Sequence, residues 1–169
     1  MGYVHDTHAS VFIPPAAIQK TAGTWTPTIA SNLVSDVRSA ADASFTILVP
    51  VTVPQNSSFR KGARLKSIDL FYKITTAADD VASVALDKVT LPATVVAAAG
   101  TSITAITLDT GHDTAAERKA QGDHTLTVTL DTPAWVGSND IYWLSMVVDA
   151  AATTAFVLFG ARANFDQRI

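Results

Sequence analysis

Six residues able to hold a metal fall within residues 109–124: Asp109, His112, Asp113, Glu117, Asp123 and His124. Carboxylates and imidazoles at a loop mouth are donors that suit a divalent cation. Their spacing matches no metal motif: a loop separates His112 from His124, and there is no Asp-x-Asp-x-Asp-Gly run. Asp and His are also ordinary turn and strand-cap residues. A solvated loop is therefore the expectation, and a metal-dependent enzyme built on His112, Asp113 and His124 is the rival to it. His5 and His8 bracket Asp6 at the N-terminus, where no helical pattern would align them and disorder is usual.

Nucleophilic chemistry has less to work with. There is no cysteine, no Gly-x-Ser-x-Gly elbow and no glycine-rich phosphate loop; the eight glycines are scattered. No catalytic residue, metal or cofactor is expected, and the chain reads as a non-enzyme.

The aromatic residues raise a different chemistry. Trp135 follows Thr132-Pro133-Ala134 in a loop and is the candidate platform for stacking a sugar. Trp143 neighbours Tyr142 within a strand, so the two point to opposite faces. If Tyr142 lies in the core, Trp143 lies outside, where a subunit contact is favoured over a ligand platform. Arg60, Lys61, Arg64 and Lys66 form a small basic run that reads as a solvated hairpin end.

The elements that must position these residues are strands. Phe45 to Val53 alternates Phe45, Ile47, Val49, Val51 and Val53 onto one face, with Pro50 placing it at an edge or a bend. Lys66 to Ile74 puts Ile68, Leu70, Tyr72 and Ile74 on one face, while Phe71 on the other marks a contact. Ser83 to Leu91 alternates imperfectly, as a bulged strand does. Ile103 to Leu108 reads as one strand, followed by His124 to Asp131, Ile141 to Ala150 and Thr154 to Phe165. The last is apolar on both faces, so it is covered twice. Thr114 and Glu117 form a capping box for one or two helical turns. The fold class is all-β: a two-sheet β-sandwich, read as an eight-stranded jelly roll over residues 41–169. Residues 1–40, with Pro14, Pro15 and Pro27, form an extended arm, either a strap over their own core or a clasp on a neighbour.

The chain has 169 residues with 12 Lys+Arg against 15 Asp+Glu, a formal charge of −3 that speaks against direct nucleic-acid binding. Only 16% of residues are charged and 48% are hydrophobic, which is sparse charge for a lone monomer. No signal-like segment or membrane-length helix is evident, so a soluble chain is expected.

From Gly122-Asp123-His124-Thr125-Leu126-Thr127-Val128-Thr129-Leu130, through Thr132-Pro133-Ala134-Trp135 and Tyr142–Val148, to Phe159-Gly160-Ala161, the chain resembles small jelly-roll virion proteins of phages. Leu65 to Lys73 fits the same pattern, so the resemblance covers roughly residues 60 to 169. It implies a decoration, capsid or fibre-type protein, assembled in the host cytoplasm into a virion. Its partners would be copies of itself and other virion proteins, with no membrane partner. Phe12, Trp25, Trp143 and Phe159 are the candidate subunit contacts, acting by burial of apolar surface at about 25 cal/mol per Å² before association costs. The alternative on the same fold is a carbohydrate-binding module, with a glycan as partner and Trp135 and Trp143 as platforms.

Overall fold

The computed structural model describes residues 6–51, 62–76, 78, 80–91, 99–103, 105–133, 135–137 and 139–168. Tyr3, His5, Val53, Arg60 and Lys61 lie outside them. The strands are β1 (Asp6–Ile13), β2 (Gln19–Lys20), β3 (Trp25–Ala30), β4 (Leu33–Arg38), β5 (Ala43–Val51), β6 (Ala63–Ile74), β7 (Asp80–Thr90), β8 (Ala99–Ile103), β9 (Ile106–Leu108), β10 (Gly122–Leu130), β11 (Asp140–Ala150) and β12 (Phe156–Arg168), with a 3-10 turn at Pro15–Ala17 and, among the described residues, one α-helix, α1 (Ala115–Arg118).

The strands form two packed antiparallel sheets. One runs β3-β4-β12-β6-β10-β9, with β1 also on β12, and the other runs β2-β5-β11-β7-β8. The all-β sandwich expected from the alternation is the fold observed. Strands β5 to β12 divide four and four between the sheets, and the preceding residues add β1 and β3–β4 to one sheet and β2 to the other. Residues 103–108 do not form one strand. Ile103 ends β8 in the five-stranded sheet, and Ile106 opens β9 in the other. A six-residue apolar-polar alternation cannot reveal that the chain changes sheets in its middle.

The inward residues follow the period of two. Phe45, Ile47, Val49 and Val51 of β5, Ile68, Leu70, Tyr72 and Ile74 of β6, and Leu126, Val128 and Leu130 of β10 are all buried. Tyr142, Leu144, Met146 and Val148 of β11 lie beside the β5 row in the five-stranded sheet, and together they face the β6 and β10 rows of the other sheet. Pro50 is tolerated because β5 is flanked on one side only by β2, which pairs at Ile47 and Leu48 alone. An aromatic cluster closes one end of the core: Phe156 stands edge-on to Phe45 at 5.4 Å and stacks on Tyr72 at 5.2 Å.

β12 is the spine of the larger sheet. It pairs with β6 along one side, and with β4 and then β1 along the other. Its register on β6 slips between Leu158 and Gly160, so Phe159 has no opposite number there. Gly160 takes φ +126°, and a Cβ there would lie 2.6 Å from the Ile13 carbonyl oxygen and 2.9 Å from the Phe12 ring. Only glycine lets β1 close onto β12 at this point.

The far end of β1 is held by charge. The buried Asp166 carboxylate is bonded to His8 Nδ1 at 2.6 Å and to an Arg64 guanidinium nitrogen at 2.9 Å, with Lys66 Nζ 3.6 Å away. Burial pushes its pKa up, but Arg64, His8 and Lys66 outweigh this and hold it below the usual carboxylate range. A depressed pKa stabilises the fold above the unfolded value of about 4, and that contribution is lost as pH falls through the folded value. Asp166→Asn is expected to cost about 1–2 kcal/mol at neutral pH and to flatten the acid limb of the stability–pH curve. Urea titrations at stepped pH check this; an unchanged acid limb contradicts it.

Candidate functional site

The outer face of the seven-stranded sheet carries the largest concentration of uncovered apolar side chains among the described residues. It begins at the β3–β4 hairpin. Ala30 pairs with Leu33 across a two-residue turn in which Ser31 and Asn32 both have positive φ, 50° and 67°. That is the mirror-image turn whose twist suits a tight hairpin. Every residue from Ile29 to Val34 except the turn itself is extended, and all of them are exposed. Ile29 is 78% exposed, Leu33 51% and Val34 49%. Successive strand residues face opposite sides, so the hairpin end is apolar and uncovered on both faces.

Beside it lies a groove of about 600 Å³ lined by Phe12, Leu33, Phe71, Lys73, Asp123 and Phe159. The sequence folds this way for three local reasons. Phe71 sits on the outward face of β6, between inward Leu70 and Tyr72. The slip at Gly160 leaves Phe159 outside the ladder. Phe12, 59% exposed, lies across that glycine from β1. At one rim Lys73 and Asp123, opposite each other in the β6–β10 register, form an ion pair of 3.3 Å. On the other side Arg162 lies over the Phe71 ring and is fixed by two bonds to Asp69, at 3.0 and 2.8 Å. Asp69 also accepts from Thr127 and Asn164, so this polar neighbour of the groove is already satisfied internally.

The structure thus brings Phe12 and Phe159 together and adds Phe71, Leu33 and the hairpin end. It does not place Trp25 with them. Trp25 packs at the root of the hairpin, edge-on to Phe45 at 5.5 Å and to Phe156 at 6.2 Å, and its indole N–H donates to the Ala22 carbonyl at 2.8 Å. Tyr142 is in the core and Trp143 on the opposite face of β11, half-buried between Pro50 and Asp87 of the flanking strands. Trp143 therefore belongs to the five-stranded sheet, away from the groove. Trp135 is 42% exposed, with the Arg64 guanidinium over its ring at 5.5 Å. Arg64 and Lys66 serve Asp166, so this part of the basic run is an ion cluster and not a solvated hairpin end.

Ile29, Leu33 and Val34 were missed by sequence reasoning. The signal was present as two short apolar runs, Thr28-Ile29-Ala30 and Leu33-Val34, around Ser31-Asn32. Without an Asn-Gly or Asp-Gly pair the turn did not stand out.

The Asp/His cluster is organised differently from a metal centre. Asp109 Oδ2 lies 2.6 Å from His112 Nδ1, His112 Nε2 lies 3.1 Å from His124 Nδ1, and His124 Nε2 lies 2.8 Å from the Ala120 carbonyl. Asp109 Oδ1 accepts the Thr127 N–H at 2.7 Å, and the His124 ring stacks on Tyr72 at 4.6 Å. Asp113 and Glu117 stand apart: Glu117 closes the expected capping box with Thr114. Among the described residues no three His, Asp or Glu side chains converge as a ligand set. The same residues contain no helix long and apolar enough to cross a membrane.

No protein-family model matches the chain, and no curated protein matches it. Among solved structures it is similar to the enzymatically active domain of bacteriophage CBA120 tailspike protein 4, at 10% identity and a TM-score of 0.38. That likeness covers 92% of this chain but 19% of the tailspike chain, so this protein spans about a fifth of it. It is also similar to the carbohydrate-binding module TmCBM61, solved in complex with beta-1,4-galactotriose, at 9% identity and a TM-score of 0.38, covering 94% of this chain and 88% of that one. At these values neither likeness bears on what this chain binds or does.

Proposed function

We propose that the protein is a non-enzymatic structural component of a phage virion, of the decoration, capsid or fibre kind, that works by self-assembly through the outer face of its seven-stranded sheet. The observation that carries the assembly reading is the β3–β4 hairpin end, apolar and exposed on both faces, beside the groove of Phe12, Phe71 and Phe159. A patch of this kind is uncommon on a lone monomer. The occupant that fits is a second copy of the chain. One face carries a convex apolar hairpin and a concave apolar groove that share Leu33, and the rim carries one cation and one anion, Lys73 and Asp123. A copy turned over about a twofold axis lays each hairpin toward the other's groove and sets Lys73 against Asp123. The outer strand β3 is a poorer route for strand addition, because Pro27 has no N–H to offer. The virion assignment is supported by the jelly-roll phage resemblance of residues 60–169 together with this assembly face. Concentration-dependent molecular mass of the full chain, compared with a Phe71→Glu chain, tests the proposal.

A second reading, glycan attachment, is favoured by Trp135. Its ring is held by Arg64 and backed by Gly62, whose Cβ position is 3.3 Å from the indole, yet it remains open to solvent. On that reading Trp135→Ala removes the stacking surface and loses binding on a glycan array. An array with no binder for the wild-type chain removes the reading.

A further inference from the structure

We infer that the loop carrying α1 is closed by a single shared proton on an Asp109–His112–His124 relay, which makes the loop a pH-sensitive latch. The inference comes from counting donors and acceptors along the relay. At one end, the Ala120 carbonyl can only accept, so His124 Nε2 carries a proton. At the other end an ionised Asp109 can only accept, so His112 Nδ1 carries a proton. The central contact, His112 Nε2 to His124 Nδ1 at 3.1 Å, needs one more proton between two nitrogens. Four ring nitrogens therefore hold three protons, one more than two neutral imidazoles supply. With both rings neutral, one contact always fails. Either two lone pairs face each other at the centre, or a lone pair faces the Ala120 carbonyl or the Asp109 carboxylate.

The other groups around the relay do not remove this requirement. Burial pushes the Asp109 carboxyl up, but the His112 bond and the Thr127 N–H outweigh it and hold it below the usual range, so the extra proton resides on the imidazoles. On β6, burial pushes the Tyr72 phenol up, and its O–H donates to the Arg118 carbonyl. On α1, the Arg118 guanidinium donates to the carbonyls of His112, Asp113 and Val81. Glu117 is engaged by Thr114, and Asp113, its carboxyl raised by the neighbouring Glu117, faces solvent. On β10, Asp123 turns outward to Lys73. None of them offers His112 Nε2 or His124 Nδ1 another partner.

The latch closes the span between β9 and β10, alongside the bonds of Arg118 and Tyr72. Asp109 leaves β9, His124 enters β10, and the loop between them crosses to β7 through Arg118 and to Ala78 through Lys119. Loss of the shared proton unmatches a part-buried contact in the middle of this span, so the loop opens more often as pH rises.

Asp109→Asn separates the proton from the geometry. An asparagine Oδ1 keeps the Thr127 N–H, while its Nδ2 donates to His112 Nδ1. His112 Nε2–H then donates to His124, and every contact is satisfied with neutral rings. The experiment is amide hydrogen exchange of residues 112–121 in the full chain, corrected for intrinsic rates, between about pH 5 and about pH 8, where histidine ordinarily changes charge. The wild-type loop is expected to open roughly ten- to a hundredfold more often at the upper end, and the Asp109→Asn loop to respond less than about threefold. A flat wild-type profile, or an Asp109→Asn profile as steep as the wild type, overturns the latch. Imidazole ¹⁵N spectra of the wild-type chain give a second readout that does not depend on the variant folding. Three ring protons in the closed loop are expected, and two neutral rings with the loop still protected overturn the inference.

Discussion

Phe156→Ala is expected to destabilise the fold by about 4 kcal/mol, lowering the thermal midpoint by about 10–15 °C. Phe156 is fully buried and meets three rings, Trp25 and Phe45 edge-on and Tyr72 stacked on its face, with His124 stacked on Tyr72 in turn. β-strand backbone on both sides, β4 and β6, limits how far the site can collapse into the space left, so the cavity cost adds to the lost transfer energy. Because Trp25 seats the root of the hairpin against this cluster, the variant is also expected to expose the indole to quenchers before global unfolding. Urea unfolding with tryptophan and far-UV detection checks both parts. A loss below about 1 kcal/mol contradicts the placement of Phe156 at the centre of the cluster.

Phe71→Glu is expected to weaken self-association at least a hundredfold while changing monomer stability by less than about 1 kcal/mol. The two effects separate because Phe71 is half-buried on the outer face, whereas its neighbours Leu70 and Tyr72 hold β6 in the core. A glutamate at 71 sits under the Arg162 guanidinium, which already lies over the ring, so the free chain tolerates the charge. In an assembled face the same carboxylate, with Arg162 beside it, is taken out of water against the apolar hairpin end of a neighbour, and the desolvation cost exceeds what their attraction returns. Sedimentation velocity across a concentration series gives the association change, and urea unfolding gives the stability change. Equal loss of both would assign Phe71 to the fold and not to an interface.

The sheets were legible because alternation was clean. The buried rows on β5, β6, β10 and β11 are the apolar rows of the sequence, and Thr114 with Glu117 announced α1. Long-range pairing was not legible. Nothing local to residues 6–13 says that β1 lies on β12 at the other end of the chain, and Phe12 acquires its place only through the slip at Gly160. Phe159 was visible as the outward member of a doubly apolar strand, and Phe71 as an apolar residue on a polar face. Their meeting depends on register between β6 and β12. Trp25 shows the opposite limit. An exposed-looking tryptophan in a proline-containing segment turned inward, because the hairpin it begins packs its root on Phe45 and Phe156. The Asp/His cluster was visible by type, but its meaning lies in which nitrogen meets which atom, and spacing cannot give that.

The measurement that bears most directly on the central claim is light scattering coupled to size exclusion on the wild-type chain over a wide concentration range. The account predicts a mass that climbs with concentration to a discrete symmetric oligomer and returns to that of one chain in Phe71→Glu. A wild-type chain that stays a monomer at the highest attainable concentration would contradict it.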